Sequence, residues 1–512
     1  MSTAGGPGDD WRRLDRGTVL VTAAVMAGVA GGAGLPALLA LAGSMPWWQA
    51  FGWVAAGALV LIASGAGADW LRWRRTRYRI GPERAELHTG LLLVKRRSLA
   101  RERIRTVDLT AHPLLRILGL VKVRIGTGEH TGGGESTLEL DPVSRAEGER
   151  LRQELLARGT AGVPEAEQEG TLAVLDPRWI RYAPVSFVAP LLGGAAVGAV
   201  MQVSQWFGVQ TQVIDWVGER VRGTPLLWTV VVLAALALVA GVVGALGLWV
   251  EMWFGYRLER EPAGTLRVRR GLFTSRSLSI EERRLRGVEL VEPLGVRLCG
   301  AARVDAVATG LVKDGEDKNA DHRTLLPPAP APVADDVVAL VLREPVPPTS
   351  APLTAHPRAA RSRRLRWALA ASLAPVLVLL VLGLCLTDVL LYAAAACAAV
   401  AVPAAVPLAL DAYRSLGHAL DGDYLVARSG TVRRGTVALR RDGVIGWTLK
   451  QSWFQRRAGV LTLTATTAAG DGAYPVYDAD EQEILDFAAR AVPALLEPFL
   501  ERSGDPGAPR GA

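Results

Sequence analysis

Of the residue types that could do chemistry, only clustered charge is abundant in this chain. The six histidines, His88, His112, His130, His322, His356 and His418, are isolated along the sequence, and the three cysteines are not at zinc spacing. No serine has the flanking glycines of a nucleophile elbow, and no Walker loop occurs. The run from Gly126 to Gly132 faintly resembles a phosphate loop, but it lies between expected strands, where a hairpin turn is the plainer reading. No catalytic residue, metal site or cofactor is therefore expected.

Charge is another matter, because 58 Lys and Arg face 50 Asp and Glu and the basic residues are clustered. Lys95, Arg96, Arg97, Arg103 and Arg105 form one group, and Arg276, Arg284 and Arg286 belong to a second. Near a membrane such residues attract anionic headgroups at about 1 kcal/mol each. They serve equally well as solvated strand faces or as a partner surface. These eight are the candidate lipid or partner contacts. Nucleic acid is not expected, since Glu83, Glu86, Glu281 and Glu282 interrupt the arginines and no aromatic series accompanies them.

The elements that must position these residues are set by a membrane. From Gly17 to Ala68 no charged residue occurs, and six apolar stretches are long enough to cross a bilayer: 18–42, 47–68, 182–204, 226–250, 367–387 and 389–410. They come as three hairpins. Gly28, Gly31, Gly32 and Gly34 would let helices pack closely, and Asp388 reads as a loop residue at a helix end rather than a mid-membrane charge. Between the middle spans, Trp206, Phe207, Trp216 and Val217 suit either a membrane interface or a solvated loop. Arg12, Arg13 and Arg16, then Arg72 to Arg79, then Arg358 to Arg366 flank the spans on one side. The positive-inside rule puts both termini and the polar regions in the cytoplasm of a plasma (inner) membrane protein.

After each hairpin comes a polar region, and the three align on a glycine: Gly90, Gly271 and Gly430. Fourteen residues on stand Ile104, Leu285 and Val444; at 17 stand Val107, Val288 and Trp447; at 29 stand Gly119, Gly300 and Gly459. Alternating residues then predict a strand with one buried face, and an amphipathic helix closes each copy. Asp141 with Pro142 is expected to start the first such helix, Asp335 or Asp336 the second, and Asp478 or Asp480 the third.

The order of hairpin, strand, Gly-Leu, Arg-Ile-Arg-Thr-Val (Arg103 to Val107) and Pro113 to Leu120 resembles the bacterial membrane-anchored proteins with pleckstrin-homology (PH)-like domains, the YdbT-like family. The second copy keeps the pattern from Arg284 to Val288 and from Pro293 to Gly300, whereas the third has Trp453 where the others have proline. The resemblance implies a bent antiparallel sandwich of about seven strands with a C-terminal helix. The expected fold class is thus a polytopic α-helical membrane protein with three cytoplasmic PH-like domains. Its parts are a segment 1–16, hairpin 17–70, domain 71–158, linker 159–181, hairpin 182–250, domain 251–344, Pro/Arg-rich linker 345–366, hairpin 367–410, domain 411–502 and a disordered tail 503–512. The linkers are expected to be spacers without a core. The expected activity is binding without catalysis, to a protein partner or in self-association and assembly. Alternatives are an anionic-lipid sensor and a transporter or its subunit.

Overall fold

The computed structural model describes residues 11–496, apart from 82, 91–94, 105, 127–136, 157–169, 187, 262–263 and 310–322. Six of its helices are long and apolar enough to span a membrane. A two-residue strand, β1 (Arg12–Arg13), precedes the hairpin of α1 (Gly17–Ala42) and α2 (Trp47–Arg75). The second hairpin comprises α5 (Val188–Trp206) and α7 (Leu226–Trp253), and the third α10 (Arg358–Cys385) and α11 (Asp388–Arg414). Pro46, Pro225 and Pro357 stand just before α2, α7 and α10, where the missing N–H costs nothing.

Each polar region repeats one order of elements. The first runs β2 (Arg77–Ile80), β3 (Arg84–Thr89), β4 (Lys95–Ala100), β5 (Thr106–Ala111), α3 (Pro113–Ile117), β6 (Leu120–Gly126), β7 (Thr137–Ser144) and α4 (Arg145–Leu156). Strand β8 (Gly170–Val174) and a helix α6 (Gln210–Val221) lie before and within the second hairpin. The second repeat is β9 (Arg257–Glu261), β10 (Thr265–Arg270), β11 (Ser275–Glu281), β12 (Leu285–Pro293), α8 (Leu294–Leu298), β13 (Ala301–Ala308), β14 (Thr324–Pro330) and α9 (Ala331–Leu342). The third is β15 (Gly417–Asp421), β16 (Tyr424–Ser429), β17 (Arg433–Arg440), β18 (Val444–Lys450), α12 (Trp453–Arg457), β19 (Val460–Thr467), β20 (Ala473–Asp480) and α13 (Glu481–Ala491), followed by a short α14 (Pro493–Leu496).

The repeat motif is structural throughout. Ile104, Val107, Leu285, Val288 and Val444 are buried, and Trp447 is half-buried. Pro113 opens α3, and Pro293 immediately precedes α8. Gly90, Gly271 and Gly430 all have positive φ, and at the latter two a Cβ would strike the carbonyl oxygen of Thr274 or Arg433. Gly119, Gly300 and Gly459 turn the chain at φ +68°, +68° and +61° into the following strand.

Among the described residues each repeat contributes six strands in two groups of three, where about seven in a closed sandwich were expected, and the groups join across repeats. The described residues form two compact units, the first ending at Arg284 and the second resuming at Leu285. In the first unit, sheets of order β1-β2-β3-β4 and β7-β6-β5-β11-β10-β9-β8 occur; in the second, β14-β13-β12-β17-β16-β15 and β18-β19-β20. Thus β5 of the first repeat pairs with β11 of the second, and β12 of the second with β17 of the third.

Other expectations are corrected. Pro142 lies inside β7, and α4 starts at Arg145 because Ser144 Oγ accepts from the Glu147 amide at 3.3 Å. Asp335 and Asp336 lie within α9, which starts after Pro330, whereas Asp480 caps α13 as expected by accepting from the Gln482 and Glu483 amides. Residues 170–174 of the expected linker form β8, and the third span starts at Val188 because Asp176 caps a 3-10 turn, Pro177–Tyr182, that buries Trp179 and Tyr182. The 345–357 stretch is no bare spacer: Pro348, Thr349 and His356 are buried and Thr354 bridges His418. Gly28, Gly31 and Gly32 face open space, while Gly34 lies against Val54 and Gly65 against Met26. Close backbone packing occurs instead in the second hairpin, at Gly193 and Gly241. The expected tail, the 159–169 segment and the loop after Gly126 lie outside the described residues.

Candidate functional site

The first unit contains a cavity of about 830 Å³ built over the β5–β11 join. Leu109, Ala111, Leu120 and Val121 supply an apolar floor from β5 and β6, and Phe254 and Gly255 follow directly on the fourth span. Around them stand six arginines, Arg116, Arg145, Arg267, Arg269, Arg270 and Arg276, with Glu149 as the sole lining acid. Strand alternation on β10 puts Arg267 and Arg269 on the same face toward the cavity, with Arg267 only 4% exposed and Arg269, nearer the strand end, exposed at the rim.

The buried charges are balanced in a closed ring. Glu149 from α4 and Glu261 from β9 each bridge Arg152 and Arg267, at 2.7 to 3.0 Å for the four closest contacts. Burial alone would raise the two carboxyls, but the hydrogen bonds from the arginines outweigh it and hold both below the usual carboxylate range. Ser277 and Ser279 accept further hydrogen bonds from Arg267 and Arg152. Four groups that would be costly alone are thereby satisfied together.

The ring leaves the remaining cavity arginines in excess. Arg116 donates to the Leu272 carbonyl oxygen, and the Arg270 guanidinium lies 4.3 Å from the ring of Trp253 at the end of α7. Arg145, Arg269 and Arg276 form no ion pair among the described residues. Burial and the neighbouring Arg267 lower the Arg269 guanidinium from its ordinary value, outweighing the opposing pull of Glu259, Glu149 and Glu261. The site is an apolar-floored basket whose rim can take an anionic group.

Of the eight sequence candidates, Arg276 alone lines this cavity. Arg96 and Arg97 lie on β4, at the edge of its sheet. Arg284 is held by Glu281 at 2.8 Å, and Arg286 by Asp442 at 3.4 Å, which gives both a structural role. Arg105 and the side chains of Lys95 and Arg103 lie outside the described residues. Sequence reading missed Arg145 and Arg116, which neighbour the cavity only through the fold.

It also missed two acids at span ends. The Glu251 carboxylate in the last turn of α7 accepts from the amides of Phe273 and Thr274, both at 2.9 Å, clasping the tip of the β10–β11 hairpin. Asp411 near the end of α11 accepts from Thr431 Oγ1 at 2.5 Å and pairs with Arg297 at 2.7 Å. Nineteen or twenty residues separate each acid from its repeat glycine, a spacing that could have revealed them.

A family model described as the bacterial PH domain matches residues 21–159 and 369–490, just over half of the chain and including span residues in both matches. The chain belongs to the bacterial PH domain family. The matches fall on the first and third repeats, although the third has Trp453 where the others have proline. The UPF0699 transmembrane protein YdbT of Bacillus subtilis (strain 168) is 32% identical over 103 residues, which is 20% of this chain and 20% of that protein. This bacterial PH domain protein therefore spans a fifth of that relative's length in the match. No solved structure matches. With six apolar helices and a transmembrane relative, it is a multi-pass membrane protein.

Proposed function

We propose that this protein is a non-enzymatic binding protein that holds three PH-like repeats at the cytoplasmic face, and that its arginine basket takes the phosphate of an anionic lipid headgroup. The carrying observation is that Arg145, Arg269 and Arg276 surround an apolar floor next to the end of a membrane span with no carboxylate paired to them among the described residues. Guanidinium groups bind phosphate through charge-assisted, often bidentate hydrogen bonds, and the apolar floor suits a glycerol or acyl stem. The cytoplasmic placement rests on the positive-inside rule.

The test is native mass spectrometry of the full chain released from nanodiscs of equal phosphatidylglycerol and phosphatidylcholine. The wild-type protein is expected to retain phosphatidylglycerol, and Arg269→Gln with Arg276→Gln to retain about tenfold less, the scale of one or two charged hydrogen bonds. Equal retention of both lipids, or unchanged retention in the double variant, refutes the reading. Assembly, the second reading, is favoured by a separate observation, the free sheet edges.

A further inference from the structure

The two joins between repeats share one register. In the first, Thr106 faces Ile280, Leu109 faces Ser277, Thr110 faces Arg276 and Ala111 faces Ser275. In the second, Gly287 faces Leu439, Leu290 faces Thr436, Val291 faces Gly435 and Glu292 faces Arg434. Counted from the repeat glycines, these are the same four pairs: 16 with 9, 19 with 6, 20 with 5 and 21 with 4. Among the described residues, a serial array built this way leaves one unmatched strand of each kind. They are β4, the first-repeat counterpart of β11 and β17, and β18, the third-repeat counterpart of β5 and β12, and each ends its sheet.

Strand β4 carries a run of charge, Lys95 to Arg97, that discourages indiscriminate pairing, whereas β18 carries charge only at its last residue, Lys450. The edge strands β7, β14 and β20 carry Pro142, Pro327 with Pro328, and Pro475, while β1 has only two residues. Strand β18 has no proline, runs seven residues and exposes Ile445 and Leu449 at 62% and 44%. An exposed, apolar, unpaired edge is a template for another strand.

We propose that β18 of one copy pairs with β4 of a second copy by the same join, with Gly446 facing Leu99, Trp447 facing Ser98, Thr448 facing Arg97, Leu449 facing Arg96 and Lys450 facing Lys95. The contact is heterologous, so it propagates into a ring or a row rather than stopping at a dimer. It also lacks the ionic staples of the second internal join. The second join is stapled by Glu289 to Arg433 and by Glu292 to Arg434, whereas the third repeat has Thr448 in β18 and Gln451 just after it at those positions and sets Lys450 against Lys95. Like charges across a strand pair oppose it. The join between copies is thus expected to be more readily reversed than the stapled second join. This inference does not depend on the headgroup reading.

The test uses full chains in proteoliposomes with the three native cysteines replaced by serine. One preparation carries Arg96→Cys, another Leu449→Cys, and the two are reconstituted together and oxidised. A disulfide-linked dimer is expected in the mixture, and at least about tenfold less when Ile445→Cys, four residues out of register at about 3.4 Å each, replaces Leu449→Cys. Adding Lys450→Glu should raise the yield about three- to tenfold by turning a repulsive pair into an attractive one. Dimers formed by Leu449→Cys alone at the yield of the mixture would show that β18 pairs with itself and overturn the proposal. So would a crosslink that forms only within one chain carrying both cysteines, or yields in the mixture no higher than out of register and unmoved by Lys450→Glu.

Discussion

His356 and His418, 62 residues apart in sequence, meet in the second unit with His356 Nε2 and His418 Nδ1 3.2 Å apart and both rings buried. Phe487 packs edge-on against His418 with ring centroids 4.7 Å apart. Burial, then His356 and Arg490, push His418 down from 6.5 to about 4, and burial also lowers His356 against the opposing pull of the Tyr477 and Asp478 backbone, toward which the charged ring would donate. A histidine whose folded-state pKa is depressed favours the neutral form in the fold. Its contribution is therefore complete above the unfolded value and is lost as pH falls toward the folded one, here from 6.5 to about 4.

At about pH 5 the linkage relation for His418 alone gives a loss of about 2 kcal/mol, or roughly a thirtyfold larger opening constant, relative to about pH 7.5. The readout is amide hydrogen exchange of Gly417–Asp421 in the full chain, corrected for the intrinsic pH dependence of exchange. His356→Gln with His418→Gln should flatten the response. Glu483, whose carboxylate lies 3.9 Å from His418 Nε2, remains in that variant and so controls for its own titration. Equal opening at both pH values, or the same pH response in the double variant, refutes the reasoning.

Gly241→Val should lower the thermal midpoint of the detergent-solubilised protein by several degrees, because any Cβ there meets the Ala189 carbonyl and the Gly193 amide, while Gly31→Val, with open space around it, should leave the midpoint unchanged. Glu251→Gln is expected to speed exchange at the Phe273 and Thr274 amides about tenfold, since each amide donates to a different carboxylate oxygen and glutamine keeps only one, neutral acceptor and sets its NH2 against the other amide. Arg152→Met breaks the four-charge ring and should destabilise the first unit by about 3 to 5 kcal/mol, read by protease resistance. Because Glu149 and Glu261 are held below their ordinary values, the ring's contribution is full above the unfolded carboxylate pKa of 4.5 and is lost as pH falls through their lower folded values.

The spans were legible because hydropathy is a one-dimensional property, and the six expected stretches differ from the helices mainly at their ends. The repeat glycines were legible because their positive φ constrains residue type directly. Asp480 was readable as a cap, but Pro142 misled, since proline suits an edge strand as well as a first helical turn. Pairing between repeats leaves no such mark. A backbone ladder is made of groups that every residue carries, so β5 reads the same whether it pairs with β4 or with β11. The arginine basket shared this obscurity: Arg116, Arg145 and Arg269 come from three elements that only the β5–β11 join brings around one floor.

The joins also fix what a folding repeat is. Strand β1 pairs with β2, β8 pairs with β9, and Thr354 bridges His418 in β15, so in each repeat the segment before the helix hairpin covers the outer edge of the strands after it. A repeat cut out after its hairpin lacks that cover. Residues 71–158 alone would lose β1, and would also bare β5, whose partner β11 lies in the next repeat, together with the buried apolar residues Leu109 and Ala111 beneath it. Exposed edges flanked by apolar surface drive aggregation. The fragment is accordingly expected to elute from size-exclusion chromatography as large aggregates, and the first unit taken whole, residues 1–284 in detergent, as a discrete species. A monodisperse, protease-resistant 71–158 fragment would mean that the join is an accessory to three self-sufficient lobes rather than part of their cores.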